Sequence, residues 1–254
     1  TAKEMGAVTK YSGTESAEAF TYMAQAGWDT QSMISGIGGI MSLAASDGIE
    51  LAQATDIVAN ALTAFGLTAS DTARFADVLA VASSATNTDV AGLGEAFKYV
   101  APVAGALKYN IEDVSMALGL MSNNGIKGSM AGTALKTSLA NLASPTDSMA
   151  AVMDKYNISL LDGEGNMKSL GEVMDNLRSS LGGLDEAEQT AAASTLFGKE
   201  AMAGMLSIIN TSEEDYRSLA EQIENSAGAA ERMAETMQDN LAGTLEQLGG
   251  AVET

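Results

Sequence analysis

The stretch Leu51-Ala-Gln-Ala-Thr-Asp-Ile-Val-Ala-Asn-Ala-Leu-Thr-Ala-Phe65-Gly66-Leu-Thr-Ala-Ser70-Asp71-Thr-Ala-Arg-Phe75-Ala-Asp-Val-Leu-Ala-Val-Ala-Ser83 decides the fold class. Leu51, Ala54, Val58, Ala61, Leu62 and Phe65 step by three and four, as one face of an α-helix requires, and Gly66 stands where a C-terminal cap belongs. Ser70 or Asp71 is then placed to cap a second helix, whose inward face is Phe75, Val78, Leu79 and Ala82. Two amphipathic helices joined by a tight glycine turn must bury their faces against further helices. The rest of the chain supplies them.

Leu93, Phe97, Val100, Ala104 and Leu107 mark the next run, which Pro102 should kink or split by removing a backbone donor. Val114, Leu118 and Met121 follow, stopped by Asn123, Asn124 and Gly125, and then Leu135, Leu139 and Leu142. Pro145 is expected at a first-turn position ahead of Met149, Val152, Met153 and Tyr156. From Ile158 to Leu170 the pattern differs. Ile158, Leu160 and Leu161 precede a turn of Asp162 to Asn166, then Met167 and Leu170, which reads as one short β-hairpin. Helices resume with Val173, Leu177 and Leu181, with Ala187, Ala191 and Leu196, with Met202, Leu206 and Ile209, and with Tyr216, Leu219 and Ile223.

Composition agrees with an all-α chain. Of 254 residues 46% are hydrophobic, only 5% aromatic and 2 are Pro, while Ala, Leu, Met and Glu, which lose least side-chain freedom in helices, abound. Mean hydropathy of +0.07 is too high for intrinsic disorder. The absence of Cys and His removes disulfides, thiolate nucleophiles, Cys/His zinc sites and the commonest neutral-pH base. A net charge of -20 repels phosphate backbones and anionic headgroups, so specific nucleic-acid binding is not expected.

The last part changes character. Residues 211–254 hold 10 acids against Arg217 and Arg232. Within it Ala230, Ala234, Met237, Leu241, Leu245, Leu248 and Val252 repeat with an 11-residue period, the spacing of a long, weakly right-handed helical stalk. The chain therefore reads as a globular helical core over residues 1–210 and an acidic helical segment, 211–254, leading into a stalk. Thr1 is no initiator and Thr254 no stop signal, so a piece of a longer protein is expected.

Candidate chemistry is sparse. The Asp162–Asn166 turn starts like an EF-hand loop, but Met167 stands where Gly is needed and Val173 where Glu is needed. Gly125-Ile126-Lys127-Gly128 has the form of a nucleic-acid-clamping KH loop, yet it lies between helices of an acidic chain, where a plain turn suffices. Gly198-Lys199 lacks the remainder of a phosphate loop. Glu213, Glu214 and Asp215 follow Ser212 as acids at a helix N-terminus do. The 15 Met are core filler at these spacings, with an adaptable partner groove as the alternative. Trp28 is expected to pack at a helix end rather than to anchor a partner or membrane surface. The uncharged 17 residues from Thr30 to Ser46 fall short of the ~20 apolar residues of a spanning helix. No catalytic, cofactor-binding or metal residue is assigned.

Three stretches together carry a resemblance: Leu51 to Leu107, ending AFKYVAPVAGAL; Met116 to Pro145, MALGLMSNNGIKGSMAGTALKTSLANLASP; and Leu196 to Met205, LFGKEAMAGM. In this order they resemble the core region of phage tail tape measure proteins of the TP901 type. The resemblance implies a structural role without catalysis or cofactor. Such proteins lie in the lumen of the growing tail, limit polymerisation of the tube protein, and leave at infection, when they are thought to help DNA cross the host envelope. It implies as partners the tail tube protein, tail assembly chaperones, tail tip proteins, other copies of the chain and, at infection, the host membrane. It implies location in the virion after synthesis in the bacterial cytoplasm. Two other readings compete: a helical module of a bacterial secretion system that binds partners or inserts Thr30–Ser46 into bilayers, and a cell-wall hydrolase working with paired carboxylates. An acidic surface would also repel packaged DNA and, by self-repulsion, ease unfolding at ejection.

Overall fold

In the computed structural model, which describes residues 11–239, the chain forms thirteen α-helices among those residues. They are α1 Gly13–Gln25, α2 Thr30–Asp47, α3 Leu51–Phe65, α4 Thr72–Ala85, α5 Val90–Ala106, α6 Ile111–Asn123 and α7 Gly128–Ala143. Then come α8 Asp147–Lys155, α9 Leu170–Leu181, α10 Glu186–Phe197, α11 Met202–Ile209, α12 Glu213–Glu224 and α13 Ala229–Gln238. The core threads between all of these except α8, which seats half-buried Met149, Val152 and Met153 against it.

The helix ends are set by local chemistry. Gly48 and Gly66 terminate α2 and α3 in the left-handed conformation, at φ 70° and φ 68°, where a Cβ would be strained. Asp29, Asp89, Asn110 and Asp185 accept N–H bonds from the first turns of α2, α5, α6 and α10. Ser169 and Glu172 form a reciprocal capping box at α9, a spacing visible as Ser-x-x-Glu. Before α4 the cap lies one turn earlier than the sequence indicates. Thr68 and Asp71 close a 3₁₀ turn over Ala69–Asp71, and Asp71 makes no side-chain cap for α4.

The helices approach closely where glycine lacks a side chain. A Cβ on Gly132 in α7 would stand 2.2 Å from the Ala96 carbonyl of α5, and one on Gly105 in α5 would stand 2.2 Å from the Ala64 carbonyl of α3. Helices α3, α5 and α7 thus stack as a layer with backbones nearly touching. On α3's other side lie α1 and α2, and α4 is wedged between α2 and α6. Phe75, Phe97 and Phe65 meet edge to face at centroid distances of 5.5 and 5.8 Å, joining α4, α5 and α3. The remaining helices, α8 to α12, build out from α6 and α7. There Arg178 of α9 donates to the carbonyls of Ile208, in the last turn of α11, and Thr211, just past it, lies over the Tyr216 ring at 4.1 Å, and pairs with Glu213.

Several expectations are corrected. No β-hairpin forms at residues 158–170: the chain does reverse at Asp162–Asn166, but a single isolated bridge between Leu161 and Met167 is all that results. Ile158 and Leu160 reach the core, but the bridged pair Leu161 and Met167 points outward, so no paired strand face is buried there. Pro102 does not split its helix. It lies inside the continuous α5 on the exposed side, where water can serve the carbonyl left without a donor. Pro145 sits just outside α8, whose N-cap is Thr146. In α10 the buried face is Ala192, Ala193, Leu196 and Phe197, while Ala187 and Ala191 are exposed. The 11-residue pattern does not start as a free stalk either. Ala230 and Ala234 are buried in the body, and its continuation from Leu241 to Val252 lies outside the described residues.

Candidate functional site

The close α5–α7 pair frames an apolar groove. Because Gly132 lets α7 lie against α5, Tyr99 of α5 and Met130 and Thr133 of α7 come to share one wall. The α6–α7 turn adds Ile126, and the end of α10 with the turn after it adds Phe197 and Lys199 as the facing wall. Both turns depend on left-handed glycines, Gly125 at φ 82° and Gly198 at φ 79°. The groove encloses about 740 Å³. Met130 is 67% exposed and Tyr99 38%, and the Lys136 ammonium stands 6.0 Å from the Tyr99 ring centre. Tyr99, Met130 and Phe197 each come from a different one of the three stretches quoted above, so the fold brings those stretches to one place.

The chemistry of this groove is that of contact. Glu200 is the one carboxylate lining it, beside the hydroxyls of Ser129, Thr133 and Thr137. A glycosidic mechanism needs two facing carboxyls about 5 to 9 Å apart, and one carboxylate does not meet that requirement. The neighbouring polar cleft of about 670 Å³, between the α6–α7 turn, α11 and α12, likewise has Asp215 as its one carboxylate. Several of its polar groups already have partners. Asn210 and Gln189 exchange bonds of 2.8 and 3.0 Å, Ser212 donates to Asp215 at 2.7 Å, and Asn123 accepts from the Asn87 N–H at 2.8 Å.

The residues singled out in the sequence take structural positions. Asp162 turns its oxygens inward, accepting from the N–H groups of Glu164 and Asn166 at 2.8 and 2.9 Å, and these bonds hold its carboxyl below the usual range. Gly125–Gly128 is a helix–helix turn. Ser212 caps α12 ahead of its three acids, and Arg217 and Arg178 hold the Glu213 carboxyl low. Trp28 is half-buried just before α2, its ring against Gly36, where a Cβ would stand 2.5 Å away. Among the described residues no group of three carboxylates could hold a metal ion, and no helix is long and apolar enough to cross a membrane.

Three aspartates that the sequence reading passed over join distant parts of the chain. Asp47 accepts from the Val90 N–H that opens α5, at 3.1 Å. Asp113 accepts from the Gly171 N–H in the first turn of α9, at 2.8 Å. Asp77 accepts from the N–H groups of Gly228 and Ala230 at α13. Each carboxylate meets a positive helix end it is not attached to. Burial is the main influence pushing the Asp47 and Asp113 carboxyls up, with the N–H bonds opposing it. No local spacing signals such pairs, since the partners are 43 to 153 residues apart.

A family model described as phage-related minor tail protein matches residues 1–198. The tape measure protein of Pneumococcus phage Dp-1 is 38% identical over 251 residues, covering 99% of this chain and 22% of the relative. The probable tape measure protein of Escherichia phage P2 is 26% identical over 257 residues, covering 99% of this chain and 31% of the relative. The chain thus spans less than a third of the length of the curated relatives it matches. No solved structure matches it significantly. The chain belongs to the phage-related minor tail protein family.

Proposed function

We propose that this chain is the folded body of a tape measure protein, a longer molecule that occupies the tail lumen, sets tail length and is ejected at infection. The observation that carries this reading is a mismatch of length. The chain aligns along 99% of its residues with one segment of tape measure relatives, yet its longest described helix has 18 residues, about 27 Å at 1.5 Å each. A segment of short helices turned back on themselves adds bulk, not reach. The ruler belongs to other parts of the whole protein, and on this reading it leaves the body beyond α13, where the 11-residue pattern continues in sequence. The body acts by filling space and by contact with the tube protein, assembly chaperones and tail tip proteins, with no bond made or broken. The TP901-type assignment rests on the three quoted stretches.

Tail length in electron micrographs tests this in the full-length protein. Inserting eleven helix-forming residues into the ruler should lengthen tails by about 16 Å. Inserting eleven Gly and Ser residues between Gly163 and Gly165, in the exposed turn, should leave length unchanged. Equal lengthening by both would contradict a compact body.

A further inference from the structure

Asp77 lies in α4 and is 9% exposed. Its Oδ2 accepts from the Gly228 N–H at 2.7 Å and its Oδ1 from the Ala230 N–H at 3.0 Å, across 151 and 153 residues of sequence. These are charge-assisted bonds, roughly twice as strong as neutral ones, aimed at the positive end of α13. Gly228 makes them possible by taking φ 73°, which turns its own N–H and that of Ala230 toward the same carboxylate.

The apolar seating of α13 is shallow by comparison. Among the described residues its buried side chains are Ala229, Ala230 and Ala234, with Met233 half-buried, while Glu231, Arg232, Glu235 and Thr236 face out. Alanine removes little area from water, and hydrophobic stabilisation scales with that area. Elsewhere the body is held by fully buried Phe, Leu, Ile and Met. α13 lies close along α2 and α4 but through small side chains, and the two N–H bonds to Asp77 are its polar anchor on α4.

We propose that α13 is a releasable strap: it undocks from α2 and α4 as one unit while the other helices stay folded, and Asp77 is the pin that sets how often it does so. The proposal concerns the fold alone and stands or falls independently of the tape measure reading.

Hydrogen exchange of the intact 254-residue chain decides it. In the native chain, amides of α13 should exchange through an opening that α4 to α7 do not share. Asp77→Asn keeps the shape but removes the charge and turns one of the two acceptors into a donor, and should speed exchange in α13 by about tenfold or more while α3, α5 and α7 change less than about twofold. Gly228→Ala attacks the pin from the other side, since its Cβ would be strained at φ 73° and would meet the Arg232 guanidinium at 2.7 Å. It should give the same selective loss, and it decides alone if Asp77→Asn does not fold. Uniform acceleration across the whole body, or no change in α13, overturns the proposal.

Discussion

Gly132→Ala is expected to cost about 3 kcal/mol or more of unfolding free energy, at the top of the range for overpacking. One methyl group has this effect because of what it meets. The new Cβ would lie 2.2 Å from the Ala96 oxygen and 2.9 Å from its carbonyl carbon and Cα, and backbone cannot swing aside as a side-chain tip can. Helices α5 and α7 must part, which opens the core on both sides and displaces the groove walls at Tyr99 and Met130. Gly38→Ala is the matched control. It replaces another mid-helix glycine, in α2, where a Cβ would have nothing within 4 Å, and should stabilise by up to about 1 kcal/mol through helix propensity alone. Urea denaturation should show the two midpoints moving in opposite directions. If both glycines respond alike, close approach is not what fixes the α5–α7 pair.

Phe75→Ala should cost about 4 kcal/mol. The ring is fully buried and contacts Phe97 edge to face at 5.5 Å and an interplanar angle of 62°. Phe97 in turn meets Phe65 at 5.8 Å. Removing Phe75 deletes the buried area, leaves a cavity between rigid helices, and loses an aromatic pair worth about 1 kcal/mol beyond area. Calorimetry should report the loss as a lowered melting temperature. A cost under about 1 kcal/mol would mean that the α4–α5–α3 junction is far less tightly packed than these contacts require.

What could be read from sequence was what is local. Leu51 to Ala82 carried helix, cap and helix in one reading, because a 3.6-residue apolar period and Gly66 each act within a turn or two. Ser212 with its three following acids was legible for the same reason. Alanine-rich α10 was not oriented correctly, since Ala187, Ala191, Ala192 and Ala193 are alike in hydrophobicity and packing alone chooses among them. The segment around Asp162 showed its turn but not its partner. A hairpin needs a face to bury, and whether one exists is a property of the whole fold. The start of the 11-residue pattern looked like a free stalk because its period is sound. Only the distant Asp77 and the α2–α4 surface reveal that this first part is docked. The groove was hidden for a related reason: Tyr99, Met130 and Phe197 are widely separated in sequence, though each lies in a stretch that carried the family resemblance.

Small-angle X-ray scattering of the chain tests the central claim most directly. A packed helical body of this length should give a radius of gyration of about 18 Å, raised by a few ångströms if either terminus extends. Ruler material of the same length would be a rod about 380 Å long, with a radius of gyration near ~110 Å. Values of about 18 to 25 Å with a globular scattering profile agree with the account; a rod-like profile with a radius several times larger contradicts it.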